Sequence, residues 1–259
     1  MSDQQSVAAR ITRDLLDGAA FEAYRTEPPR SVEAAYELQD AVSVLLAGVR
    51  GRVAGWKIAA NSPALLERFG LKEPVSGRIF ANQIYEGPAV LKVADYAQFA
   101  FEPEIAAVIG RTLTSRDAPF GADQVADAIA RFVPSLELLD MRMTDMKAVH
   151  IPDAVAQNIS NAGAVRGGPG AAPGEFDVAD VRTVLSINGE VVYDVTGAAP
   201  QSPVEAVTWL ANHLSARGLS LEAGQIVTCG THSPIWYHEG AGEIRVEMSG
   251  LGSVSLTLE

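Results

Sequence analysis

The sequence predicts an α+β fold dominated by β-structure, with a helical N-terminal portion. Residues 5–18 and 31–46 repeat apolar side chains at helical spacing. Residues 75–110 break instead into short strand-like runs, and the chain closes on three more. Between them, Asn188–Gly189 stands between two alternating apolar runs, a strong hairpin signal.

The first helix places Val7, Ile11, Leu15 and Leu16 on one side and stops near Gly18. The second starts at Ser31, a side chain suited to cap a helix, with Glu33 in the first turn where the helix dipole favours an acid. Ala34 stands where a full capping box needs Glu or Gln. Its apolar positions are Ala35, Leu38, Val42 and Leu45. The run RVAGWKIAA reads as a strand, and Asn61–Ser62–Pro63 opens a short helix through Leu65, Leu66 and Phe69. Strands follow in VSGRIF, QIYEG, AVLKV and EIAAVIG. A helix is expected over residues 122–132, leading into a strand around Glu137. The Gly- and Pro-rich residues 164–177 read as a loop. After the hairpin, Ser202–Pro203 starts a helix with Val204, Val207, Leu210 and Leu214 inward and Gly218 at its C-terminus. QIVTCG, EIRVEMSG and SVSLTL are the closing strands.

At 259 residues, with 47% hydrophobic and 20% charged side chains, the composition is that of an ordinary globular protein. A net charge of −12 without a basic cluster argues against nucleic-acid binding. The polar opening MSDQQSVAAR lacks the apolar core of a signal peptide. No apolar run approaches the roughly 18 residues of a membrane span. A cytoplasmic protein with no membrane association is the expectation. The single cysteine, Cys229, excludes an internal disulfide and reads as a packed structural thiol.

Three acids stand out chemically. Glu102 and Glu104 lie in FEPEIAAVIG and Glu137 in VPSLELLDM, all inside apolar strand runs. Alternation along a strand puts Glu102 and Glu104 on one face, continued by Ala106 and Val108. An ionised carboxylate is rarely buried without a cation or a metal. A hard divalent ion such as Mg²⁺ or Mn²⁺ is the simplest counter-charge. The competing readings are a solvated face for the Glu102/Glu104 pair and an ion pair between Glu137 and Arg142 or another base. Lys57, in RVAGWKIAA, either snorkels to an edge or is held in a pocket, where burial lowers its pKa and suits it to proton transfer.

The segments GWKIAANSPALLERFG, FEPEIAAVIGRTL, PSLELLDMR, PDAVAQNIS and SPVEAVTWLANHLSARGLSLEAGQIVTCG occur in this order. Together they closely resemble the 2-keto-4-pentenoate hydratase/4-oxalocrotonate decarboxylase group of the fumarylacetoacetate hydrolase superfamily, from about Ser31 to the end of the chain. The resemblance implies a mixed β-roll core with peripheral helices and a homo-oligomer, in some relatives a hydratase–decarboxylase complex. Residues 1–70 would be a mainly helical portion packed on a catalytic roll of residues 71–259, together one structural unit.

It implies Glu102, Glu104 and Glu137 as ligands of one Mg²⁺ or Mn²⁺, and Lys57 as the catalytic lysine of a G-x-K motif. Asp153, Asn158 and Ser160 match a polar stretch bordering the pocket in relatives, with loop-capping hydrogen bonds the rival role; of the three, Ser160 would be catalytic. The implied substrate is a small 2-oxo or 2-hydroxy-dienoic acid of aromatic or related catabolism. The expected reaction is hydration of a 2-hydroxy-2,4-dienoate to a 4-hydroxy-2-oxo acid. Decarboxylation of an oxalocrotonate-type acid, C–C hydrolysis and a non-catalytic partner subunit are the alternatives.

Two departures bear on this. Val75 replaces an aspartate that relatives often carry, and Glu73 lies two residues too early to take its place. His232 stands where relatives have small residues, so either its imidazole enters the pocket and compensates, or it is a histidine bonded to backbone. His150 and His238 have weaker claims. Trp56, Phe80, Trp236 and Tyr237 form an aromatic wall for the substrate's tail or else belong to the core.

Overall fold

The computed structural model describes residues 3–22 and 29–259. In chain order its elements are α1 (Asp3–Leu16), α2 (Val32–Arg50), β1 (Val53–Ala59), α3 (Pro63–Phe69), β2 (Val75–Phe80), β3 (Ile84–Glu86), β4 (Ala89–Leu91) and β5 (Phe99–Ile109). There follow α4 (Ala122–Ala126), β6 (Ile129–Asp140), α5 (Ile151–Ala156), β7 (Asn161–Arg166), β8 (Gly168–Pro169), β9 (Arg182–Ile187) and β10 (Glu190–Thr196). The last are α6 (Pro203–Ala216), β11 (Ile226–Thr231), β12 (Trp236–Tyr237), β13 (Gly242–Met248) and β14 (Gly252–Leu258).

Local chemistry sets several of these boundaries. Ser31 accepts the Ala34 amide at 3.2 Å to start α2, and Ser62 accepts the Leu65 amide at 3.3 Å to start α3. Asn188 and Gly189 turn the β9–β10 hairpin with φ of 52° and 80°, the paired positive values such a tight turn needs. Gly218, at φ 73°, ends α6 while the next amide reaches back to the Leu214 carbonyl.

The strands form two sheets. One runs β2-β1-β11-β5-β6-β7-β3 with β12 added alongside β5; the other runs β10-β9-β13-β14-β4, with β8 against β14. The main core lies between them, joining Phe101, Ile105, Leu136 and Leu138 to Leu185, Ile244, Val246 and Leu256, with α6 contributing Val207, Leu210 and Leu214. A second cluster packs α1 and α2 through Ile11, Leu38, Val42 and Leu46 onto Val75 and Phe80. On α2 the inward position is Leu46, while Leu45, expected inward, is 44% exposed. No helix among the described residues is long and apolar enough to cross a membrane.

The larger sheet must curl. Lys57 on β1 and Glu137 on β6 are separated by β11 and β5, about 14 Å in a flat sheet, yet their side chains meet at 2.9 Å. The edges of the roll are joined by the turn at residues 158–160. There the Asn158 carboxamide bonds both the amide and the carbonyl of Arg78, as a neighbouring strand would. The roll draws β1 from before residue 70 and its other strands from after it.

Two expected elements differ. The helix over 122–132 stops at Ala126, because Ile129–Asp140 instead pairs along β5 with Ile129, Phe132 and Val133 buried. Tertiary pairing overrides local helical spacing there. The loop over 164–177 begins later than expected, since Ala164–Arg166 completes β7 and Gly168–Pro169 forms β8. Gly167 permits this: a Cβ there would lie 2.1 Å from the Ser253 carbonyl oxygen.

Candidate metal centre and active site

Inside the roll, β5 and β6 pair Glu102 with Glu137 and Glu104 with Ser135. Directly opposed residues share a face, so all three acids point inward. One carboxylate oxygen from each lies within 4.8 Å of the others. Glu104 and Glu137 are buried and Glu102 is half-buried, which removes the solvated-face alternative.

Glu137 pairs with Lys57 rather than Arg142. Its Oε1 accepts from Lys57 Nζ at 2.9 Å and from Asn161 Nδ2 at 2.9 Å. Gly230, at φ 116°, donates its amide to Glu104 Oε2 at 2.7 Å. Lys57 Nζ also reaches the Ile159 carbonyl at 3.3 Å. That carbonyl is presented by three successive left-handed residues, Asn158, Ile159 and Ser160, with φ of 61°, 51° and 56°. Such a turn without glycine is strained by about 1–3 kcal/mol per residue, and the doubly bonded Asn158 amide holds it.

The electrostatics follow from this crowding. Burial, then repulsion from Glu137, pushes Glu102 up to about 7, with Lys57 pulling the other way. Glu104 is held well above the usual carboxylate range, by burial first and then by both other acids. Burial alone would lower Lys57, as expected from its sequence setting. Here Glu137 and Glu102 outweigh burial, and the amine keeps its proton above the ordinary lysine range.

The donor set fits a hard divalent cation. One ammonium faces three carboxylates, and Glu137 Oε2 is buried with no hydrogen-bond partner. Ser135 Oγ and Thr228 Oγ1 are likewise buried and unsatisfied; they stand opposite Glu104 and Lys57 in the strand register. Unsatisfied buried oxygens beside an acidic cluster are what an oxygen-coordinated ion with its waters would satisfy.

The remaining sequence candidates divide. Ser160 opens onto a cavity of about 190 Å³ beside Asn161, Gln83, Arg50 and Tyr85. Asp153 is buried on α5 and bonds His150 Nδ1 at 2.9 Å. Trp56 and Phe80 are core residues, and Trp236 points between the sheets, bonding Ser233 Oγ. Tyr237 alone of the four aromatics shares the acids' face, through its register with Ala100. Cys229 is a buried thiol, as expected. Asn161, Ser135, Thr228 and the Ile159 carbonyl escaped sequence reading. Ser135 carried a signal, being a polar residue two positions before Glu137 in an apolar strand.

His232 corrects the expectation of an imidazole in the pocket. Thr231 pairs with Glu104, so the next side chain points to the opposite face. There His232 Nδ1 bonds Thr183 Oγ1 of the smaller sheet at 2.8 Å, and burial lowers its pKa to about 4. Replacing it by alanine is therefore expected to leave kcat within a few-fold. It should cost about 1–3 kcal/mol, measured by denaturant unfolding, through the unpaired Thr183 hydroxyl. In the native protein the imidazole stays neutral while the unfolded chain takes up a proton below about pH 6.5. Stability from this group is full above that pH and drains away as pH falls towards 4; His232→Ala should flatten the decline.

Gly77 makes room for the lysine. A Cβ there would lie 3.0 Å from Lys57 Cγ and 3.1 Å from the Asn158 carbonyl oxygen. Gly77→Val should cost about 1–3 kcal/mol by overpacking and lower kcat further than Tm accounts for, because it displaces Lys57.

Residues 77–259 match the family model described as fumarylacetoacetate (FAA) hydrolase C-terminal. The chain belongs to the fumarylacetoacetate hydrolase family. Within this family, it is 32% identical to a 2-keto-4-pentenoate hydratase of Burkholderia vietnamiensis, over 99% of both chains. It is 28% identical to a 4-oxalocrotonate decarboxylase of a Pseudomonas species, over 97% of this chain and 96% of the relative. Among solved structures, the 4-oxalocrotonate decarboxylase from Pseudomonas putida G7, complexed with magnesium and adipate, superposes with a TM-score of 0.88. That match has 26% identity and covers 99% of this chain and 97% of the other. The mixed α+β roll expected from the sequence is thus a fumarylacetoacetate hydrolase-type fold.

Proposed function

We propose that this chain is a divalent-metal-dependent lyase that adds water to a 2-hydroxy-2,4-dienoate, giving a 4-hydroxy-2-oxo acid. The observation that carries this is the buried Glu102/Glu104/Glu137 trio with a protonated Lys57 at 2.9 Å from Glu137. The relatives named as dienoate hydratases support the substrate class. Mg²⁺ or Mn²⁺ held by the three glutamates would supply Lewis-acid stabilisation of negative charge on the 2-oxygen.

The protein's own groups do the rest. The interior of the roll excludes bulk water around the acids, which strengthens each charge interaction there. Lys57, kept protonated by its carboxylate neighbours, gives the proton taken by the terminal carbon of the dienol and recovers one from the enol hydroxyl, whose oxygen becomes the 2-oxo group. The resulting 2-oxo-3-enoate accepts water at C4, with the proton going to C3. Asn161 and the Ile159 carbonyl fix Glu137 and Lys57 in position. The unsatisfied hydroxyls of Ser135 and Thr228 can orient a water beside the acids.

Decarboxylation of an oxalocrotonate-type acid is the second reading, supported by the decarboxylase superposition. Purified chain incubated with Mg²⁺ and either a dienoate or oxalocrotonate, followed for ultraviolet loss and CO₂ release together, tests both. Metal-dependent loss of dienoate absorbance without CO₂ is expected. CO₂ release at a comparable rate would replace hydration by decarboxylation, and turnover of neither would remove the enzymatic reading.

A further inference from the structure

β2 ends the larger sheet, so one edge of its backbone bonds no further strand. Side chains of α2 and of the 158–160 turn take that place. Ser76 donates its amide to Tyr36 Oη at 2.8 Å, and its carbonyl accepts from Gln39 Nε2 at 3.1 Å. Two residues on, the Asn158 carboxamide holds the amide and the carbonyl of Arg78. Between them lies Gly77, which stands opposite Lys57 in the strand register and leaves room for its Cγ. The sheet edge beside the lysine is thus fixed by side chains.

Gln39 reaches beyond that edge. It is fully buried, and its Nε2 also donates to the Val155 carbonyl at 2.8 Å, on α5, three residues before Asn158. Its Oε1 accepts from Arg78 Nη1 at 2.6 Å. One carboxamide therefore ties both neighbours of Gly77 to the helix that leads into the 158–160 turn. That turn presents the Ile159 carbonyl to Lys57 Nζ. Two donors for carbonyls and an acceptor for a guanidinium are what a carboxamide supplies. An ionised carboxylate cannot donate, and an apolar side chain takes a bond from two buried carbonyls. Asp40 also binds Arg78, and takes Arg217 of α6 at 2.7 Å, but its side chain is 49% exposed and its charge is screened.

We propose that Gln39 is a positioning residue: by gripping both sides of Gly77 together with α5, it sets where the Lys57 amine stands relative to Glu137. The inference deepens the proposed hydratase reading and rests on it for the effect on turnover. It gives α2 a share in the active site.

Two measurements on the full chain test this. The first needs neither metal nor substrate: lysine-selective ¹⁵N nuclear magnetic resonance, in which Lys57→Arg identifies the Lys57 ammonium by the loss of its signal. Held by Glu137 and the Ile159 carbonyl, its protons should exchange slowly with water in the wild type and about 10-fold faster in Gln39→Met. The second is dienoate turnover with Mg²⁺. Gln39→Met should lower kcat by about 10–100-fold, the scale of a misplaced catalytic group, and change KM less than about 3-fold. Gln39→Glu keeps the bond from Arg78 and loses both donors; it should behave alike, and it answers the question if Gln39→Met does not fold. Leu46→Ala loosens the same helix through its apolar contacts alone, so it should lower Tm and leave both readouts at wild-type values. Wild-type ammonium exchange in either Gln39 variant overturns the inference, as does an unchanged kcat where the wild type is active, or an equal effect of Leu46→Ala. An inactive wild type whose Gln39 variants still exchange faster removes the hydratase reading and leaves Gln39 as the residue that positions Lys57.

Discussion

Glu137→Gln should leave a folded protein that has lost more than about 100-fold in Mg²⁺ affinity and about 10³-fold in kcat/KM. The substitution preserves shape and removes only the charge. In the wild type, one oxygen is fully engaged by Lys57 and Asn161, so the other, buried and without a partner, is the one free to take an ion. An amide at the same place offers a weaker, neutral oxygen and a donor that repels cations. The neighbouring acids change in the direction that exposes the mechanism: losing Glu137 removes a charge that raises both Glu102 and Glu104. A gain in ionised carboxylate that still fails to restore metal binding would show that geometry, not total charge, makes the site. Mn²⁺ binding followed by electron paramagnetic resonance, beside steady-state kinetics, measures both quantities. Wild-type affinity in this variant would refute the trio.

Lys57→Met carries the second large effect, and it separates stability from chemistry. Among the described residues, Lys57 is the only cation paired directly with one of the three acids, Glu137, its charge also acts on Glu102 and Glu104, and it is itself buried. Removing one partner of a buried ion pair costs about 3–5 kcal/mol, so the metal-free variant should unfold well below the wild type. Added Mg²⁺ then replaces the lost positive charge. The variant should recover more Tm than the wild type gains at the same ion concentration, by the linkage between binding and folding. Activity should not recover, because the proton carried by the amine is gone; a loss of about 10²–10⁴-fold in kcat is the scale of general acid–base catalysis. Equal Mg²⁺-induced shifts in the two proteins would mean that lysine and metal do not share the acids' charge. Full activity in the metal-loaded variant would remove Lys57 from the proton transfer.

Periodicity alone gave most of the elements their type and place. The Ser31 and Ser62 caps, the Asn188–Gly189 turn and the Gly218 helix stop are local chemistry, and each is where its residue type demands. Helix 122–132 failed because its second half had an open strand edge to pair with, and β6 continues that pairing with β5 from Ile129 to Asp140, a longer ladder than the fewer than two further helical turns would have made. The three acids were conspicuous because carboxylates inside apolar runs are costly. Asn161 was not, since nothing in NAGAVR marks it until the curl of the roll brings its amide to Glu137.

The facing of side chains marks the limit. Alternation in the sequence determined that Glu102 and Glu104 share a face, and apolar neighbours determined that this face is buried. Only the tertiary structure decided which residue answers that charge, turning Lys57 inward and His232 outward. Two strands separate Lys57 from Glu137, and curvature over that distance is a property of the whole sheet. His232 follows a bulged strand end, where one residue's shift in register exchanges inside for outside. Hydrophobic burial acts on each run of residues separately, whereas charges find their partners only after the chain has closed.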